Sequence, residues 1–93
     1  MADMTETEFQ VGRVVLAKAG REKGAAFLII RRLDDEYVLI ADGRSRTVAK
    51  PKKKKAKHLT PKPILVRELK NKLEAGELIL DADIRKALES FGL

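Results

Sequence analysis

The sequence contains no cysteine, and only four of its 93 residues are aromatic: Phe9, Phe27, Tyr37 and Phe91. Without thiols there are no disulfides and no thiolate metal sites, and nothing points to an oxidising compartment. Long apolar runs are also missing. The longest, Ala25 to Ile30, is far too short to cross a bilayer. The opening residues M-A-D-M-T-E-T-E carry three acids and no base, the reverse of a signal or transit peptide. A soluble cytoplasmic protein is the expectation, with residues 1–8 as a disordered acidic tail because they lack periodicity and bulk. Histidine occurs once, at His58, with no base or nucleophile beside it. The acidic run Asp34-Asp35-Glu36 has no second cluster to complete a metal site, and turn acids are usually solvated. No catalytic residue, metal or cofactor is assigned, and the chain is not expected to be an enzyme.

What the chain has in excess is positive charge, and it is unevenly placed. Residues 9–62 hold 15 Lys and Arg against 5 Asp and Glu, a net of +10, whereas residues 63–93 hold 5 against 6. The excess sits on one portion, which is the footprint of a polyanion binder. A reader of single strands normally displays several stacking rings. Four aromatics, with Phe27 and Phe91 in apolar patterns that suit a core, favour recognition of shape and phosphates instead. Tyr37 is assigned to the core ahead of a contact role.

Ninety-three residues make one small domain with a short appendage. Strands are expected from about Phe9 to Lys18, Ala25 to Arg32, Tyr37 to Ala41 and Arg44 to Ala49, since each is aliphatic or alternating. Leu33 to Glu36 reads as a tight turn that an Asp side chain can close on its own backbone. Asp42-Gly43 reads as a type I′ hairpin turn. Short strands with tight turns predict a strongly bent SH3-like barrel over residues 9–62. The stretch from Lys50 to Pro63, with seven lysines and three prolines, reads mostly as loop, with a last short strand around His58-Leu59-Thr60.

Beyond it, Leu65, Leu69 and Leu73 mark a helix of about Ile64 to Ala75, which Gly76 can close. A second helix starts near Asp81, a good N-cap, with Ile84, Ala87, Leu88 and Phe91 on its apolar face. The expectation for residues 63–93 is a helical hairpin in which Leu78 and Leu80 pack inward. The fold class is thus mainly β, a barrel of four to five short strands followed by two short C-terminal helices.

One segment carries a motif. Val11-Gly12-Arg13-Val14-Val15-Leu16-Ala17-Lys18 runs into Gly20-Arg21-Glu22-Lys23-Gly24, and Ala25 to Ile30 runs out. The string G-R-V-V-L-A-K-A-G-R-E-K-G resembles a KOW motif, the strand–loop–strand signature of many ribosomal and transcription-elongation proteins. With Tyr37 to Gly43, Pro51 to Lys55 and Lys57-His58-Leu59, the span is similar to the archaeal and eukaryotic large-subunit ribosomal protein family called fourteen-e. It is similar also to small stand-alone bacterial KOW proteins. The resemblance covers about half of the chain and implies an RNA-binding protein of the ribosome. Residues 63–93 match no ribosomal motif, which points to an accessory factor.

Gly20, Gly24 and Gly43 are the structural loop residues, chosen for tight backbone turns. Lys18, Arg21 and Lys23 flank the first loop as phosphate contacts, though the same loop could be an exposed charged turn. Lys50, Lys52, Lys53, Lys54, Lys55, Lys57 and His58 form the second group. Four adjacent lysines repel one another, and a phosphate backbone relieves that repulsion while releasing counterions. Arg44 and Arg46, two apart on a strand, would share a face and extend the patch. The expected partner is folded RNA, ribosomal by resemblance, with a ribosomal protein as a further partner and a monomeric chain. The alternative is a protein-interaction module of the transcription and translation machinery docking through barrel and tail, which would not need the lysine run. Attachment to an anionic membrane is weaker, since neither helix has a strongly basic polar face.

Overall fold

The computed structural model describes residues 8–93. The tail expected at residues 1–8 therefore lies, except for Glu8, outside the described residues. Five antiparallel strands form one sheet: β1 Arg13–Ala17, β2 Ala26–Arg32, β3 Tyr37–Ala41, β4 Lys52–Lys55 and β5 Leu59–Leu65. Helices α1, Arg67–Glu74, and α2, Asp81–Ser90, follow. The sheet order is β4-β3-β2-β1-β5, so two consecutive strands lie at opposite edges. In a flat sheet four strand spacings would separate them by roughly 19 Å. The link between them is a three-residue 3-10 turn, Ala56–His58, and the four steps from Lys55 to Leu59 reach at most about 14 Å. The sheet must therefore curl, and it does so as the expected SH3-like barrel.

Alternation along the strands makes two cores. Val15, Phe27, Ile29, Val38, Ile40, Ala56 and Leu59 fill the barrel interior, with Phe9 closing one end. Val14, Leu28 and Ala41 face outward and are covered by Leu69 of α1, Ile79, and Ile84 and Leu88 of α2. Phe27, Leu28 and Ile29 are all buried in succession because β2 is covered on both faces.

Several expectations need correction. The fourth strand is not Arg44–Ala49, which forms turns and bends, but the lysine run Lys52–Lys55, paired to β3 from Tyr37↔Lys55 to Ile40↔Lys52. The Asp42-Gly43 turn is not type I′, which would need positive φ at Asp42, and no described non-glycine residue has it. Instead the Asp42 carboxylate accepts the amides of Arg44 and Arg46 at 2.8 and 2.9 Å and the Ser45 hydroxyl at 3.0 Å. With its amides satisfied locally, the loop does not pair as a strand. It docks on α2: Val48 N–H donates to the Asp81 carboxylate at 2.8 Å, and Arg85 donates to the Gly43 carbonyl at 2.7 Å. Asp81 is thus a staple between loop and helix rather than an N-cap. The cap position is Leu80, whose N–H is accepted by Asp83 at 2.9 Å.

The stretch read as loop continues as β5 through Pro61 and Pro63, whose missing amides are tolerated at the sheet edge. Residues 63–65 thereby belong to the sheet. The helices do not close on each other as a hairpin core; each lies on the outer face over β2. The linker phase is the reverse of that expected: Ile79 is buried (4% exposed), while Leu78 (92%) and Leu80 (66%) face solvent. Phe91, expected in the core, is 49% exposed. The Asp34 turn and the Gly76 cap are as expected. The Asp34 carboxylate accepts the Glu36 and Tyr37 amides, both at 2.8 Å. Gly76, at φ 76°, ends α1, and the Glu77 amide donates to the Lys72 carbonyl.

Two glycines set how closely the helices approach. Gly12, at φ 93°, would with a Cβ come within 2.7 Å of Lys70 Cβ on α1, and its carbonyl accepts the Val66 amide. Gly43, at φ 78°, would press a Cβ on the Asp81 carbonyl at the start of α2. Gly24 also has positive φ, 86°, but open space around it. Gly24→Ala should therefore cost only the left-handed penalty of about 1–2 kcal/mol. Gly43→Ala adds the displacement of α2 and should cost about 2–4 kcal/mol. Chemical denaturation of both variants checks this, and equal losses would contradict the close-approach role.

Candidate nucleic-acid interface

The loop between β1 and β2 is built by backbone bonds. The Gly24 amide donates to the Ala17 carbonyl at 2.8 Å, and the Ala25 amide to the Glu22 carbonyl at 2.8 Å. Gly20 and Gly24 both adopt the positive φ that such a turn asks of them. This geometry tips Arg21 and Glu22 towards the start of β4. Ala19, Gly20, Arg21, Glu22, Arg46, Lys52 and Lys54 line one concavity of about 340 Å³ at the barrel mouth.

Glu22 was not singled out from sequence, yet it organises this concavity. Its carboxylate accepts Lys52 Nζ at 2.8 Å and Arg46 Nε at 3.3 Å. A lone acid in an otherwise basic loop was the available signal. The hydrogen bond from Lys52 is the main cause that holds the Glu22 carboxyl below its ordinary value of 4.5, against the opposing effect of burial. The Glu22 carboxylate bridges an ammonium and a guanidinium and offsets the charge of both.

The other predicted residues divide. Lys53 and Lys55 are on the opposite side of β4, their Nζ atoms 4.5 and 5.7 Å from the centre of the Tyr37 ring. Tyr37 is half-buried beneath them rather than in the core. Lys55 also lies 3.9 Å from Glu36. Arg44 does not share a face with Arg46, because the segment is not a strand. It pairs with Glu89 of α2 at 2.7 Å, while Arg46 turns to Glu22. Lys18, Lys23, Lys50, Lys57 and His58 are exposed, and the His58 carbonyl accepts the Lys18 amide at 2.9 Å, which ties the 3-10 turn to the root of the loop.

No family model matches the chain. It is similar to the large ribosomal subunit protein eL14 of Desulfurococcus amylolyticus, 38% identical over 52 residues, or 56% of this chain and 54% of that protein. The eL14 protein of Pyrobaculum calidifontis is 30% identical over 83 residues, covering 89% of this chain and 74% of that one. That of Staphylothermus marinus is 27% identical over 84 residues, 90% and 80% of the two chains. The longer alignments leave at most ten of the 93 residues outside. The likeness therefore extends into the helices instead of ending with the barrel.

Acid should loosen this region through its carboxylates. Burial alone would raise the Asp42 carboxyl, but the Arg46 and Arg44 amides and the Ser45 hydroxyl outweigh it and hold the group below its ordinary 3.8. A depressed folded value contributes stability in full above the unfolded value and loses it as pH falls through the folded one. Asp42→Asn should cost about 1–2 kcal/mol at pH 7. It should also flatten the decline of stability below about pH 4, as measured by thermal unfolding across pH. An unchanged acid limb in the variant would remove Asp42 from the account.

Proposed function

Because the chain belongs to the large ribosomal subunit protein eL14 family, we propose that it is a cytoplasmic, ribosome-associated protein that binds large-subunit ribosomal RNA through phosphate contacts. The observation that carries this reading is the convergence of Arg21, Arg46, Lys52 and Lys54 on one concavity at the barrel mouth. Lys23, Lys57 and His58 add exposed donors. Arg44 contributes less than the sequence implied, being held by Glu89. Nothing in this use of lysine and arginine requires a base sequence, since phosphate contacts position a duplex without reading it. The coverage of the outer face by α1 and α2 supports a division of labour, with the near-neutral residues 63–93 packing the sheet and the basic portion meeting RNA.

A second reading has one observation in its favour. Leu65, Val66, Leu69, Ala87 and Phe91 line a groove of about 460 Å³ between α1 and α2. With Phe91 half-exposed there, a ribosomal protein docked on the helices is the second reading.

Filter binding of the protein to large-subunit ribosomal RNA across a salt series tests the main reading. Four to six neutralised phosphates should give a slope of log K against log salt of roughly −3 to −5. A flat dependence would overturn it. Glu22→Gln gives a sharper expectation: removing the competing carboxylate should tighten binding, by about tenfold if roughly 1.4 kcal/mol of competition is relieved. Weakened binding in a folded Glu22→Gln protein would show that the carboxylate positions the cations rather than competing for them.

A further inference from the structure

Strand alternation divides the lysines of β4 between the two sides of one sheet edge. Lys54 pairs across from Val38 and Lys52 from Ile40. Directly opposed residues share a face, and Val38 and Ile40 belong to the barrel core. Lys52 and Lys54 therefore lie on the inner side, their stems along the rim of the core and their heads at the mouth. Lys55 pairs across from Tyr37 and Lys53 from Leu39, on the outer side, where both ammonium groups stand over the Tyr37 ring. Arg31, across from Leu39 on β2, extends that side. The cluster covered by the helices does not include Tyr37 or Leu39, and β4 is the last strand of the sheet.

Lysines on an exposed edge strand, inward-pointing ones included, guard it against pairing with another chain. That protection does not require charge at four successive positions. A single phosphate backbone laid on either side would meet only two of the four lysines.

We infer that β4 is a ridge that enters between two phosphate backbones flanking a groove of double-helical RNA. Lys52 and Lys54 hold one backbone, and Lys53 and Lys55 hold the other. This rests on the RNA-binding reading above and names the form of RNA that it takes. The wide, shallow minor groove of A-form RNA is the one that a protein edge can approach. Tyr37 serves as the floor on which Lys53 and Lys55 are held, with their ammonium groups directed by the ring. Glu36, 3.9 Å from Lys55, and Glu22, 2.8 Å from Lys52, are acids paired to this strand.

The test uses the full chain, a hairpin RNA with a 20-base-pair stem, and single-stranded oligouridylate of 20 nucleotides. Two variants are compared, Lys52→Gln with Lys54→Gln, and Lys53→Gln with Lys55→Gln. Glutamine keeps most of each stem, and unfolding curves verify that both variants are folded. On the hairpin, each pair should reduce the magnitude of the salt slope by about 1.8, for two phosphates lost, and the four-lysine variant by about 3.6. On oligouridylate, only one pair should matter. A hairpin slope that ignores either pair would overturn the ridge, as would additive losses on oligouridylate, which would mean a single strand wrapped around the edge. Failure of the unmutated protein to bind either RNA would instead overturn the RNA-binding reading itself.

Discussion

The structure depends on β2 being covered on both faces. Phe27 and Ile29 need the barrel interior and Leu28 needs something on the outside, and a sheet this small cannot supply it from its own strands. The helices are the cover. Once α1 and α2 are seated over Val14, Leu28 and Ala41, that part of the outer face is closed to any ligand. Basic residues are left at the barrel mouth and along the β4 edge. Gly12 and Gly43 are the points where that cover is pressed against the sheet without a side chain between. The placement of the proposed binding surface is thus a consequence of packing on the opposite side of the molecule.

The same constraint explains the loop from Asp42 to Lys50. It joins two strands that could have been linked by a tight turn. Instead the loop is folded on its own carboxylate and stapled to α2 through Val48–Asp81 and Gly43–Arg85. Stapling moves the pairing partner of β3 along to the lysine run and puts Arg46 within reach of Glu22. Four neighbouring lysines are an unusual strand, and β3, with Tyr37, Val38 and Ile40, supplies what holds it. Apolar side chains on either face of β3 give each lysine stem something to lie along. Resemblance to eL14 proteins over nine-tenths of the chain accords with barrel and helices forming one unit.

Much of this was legible in the sequence, for identifiable reasons. β1, β2 and β3 are aliphatic and β-branched enough to be read directly, although β1 begins at Arg13 instead of near Phe9, and the Asp34 turn, the positive φ at Gly24 and the Gly76 cap follow from local chemistry. The KOW resemblance named the family that the comparisons bear out. What was not legible is set by contacts distant in sequence. Arg44–Ala49 has better strand residues than Lys52–Lys55, but the Asp42 side chain takes the amides that a ladder would need. Leu78, Ile79 and Leu80 are alike in hydrophobicity, so which of them faces inward is decided by where α2 docks. Arg44 and Arg46 were placed on one face by a strand that does not form. Glu22 was overlooked because its partners, Arg46 and Lys52, are 24 and 30 residues away.

The central claim is that the barrel mouth and the β4 edge meet RNA while the helices only cover the sheet. Amide chemical-shift mapping of isotopically labelled protein, titrated with an RNA hairpin at low salt, tests it most directly. The account predicts that Lys18, the Gly20–Gly24 loop, Arg46, and residues 52–58 move together in one saturable transition, while α1 and α2 stay in place. Shifts concentrated in α1, α2 and the Leu78–Leu80 linker, with the mouth unperturbed, would contradict it.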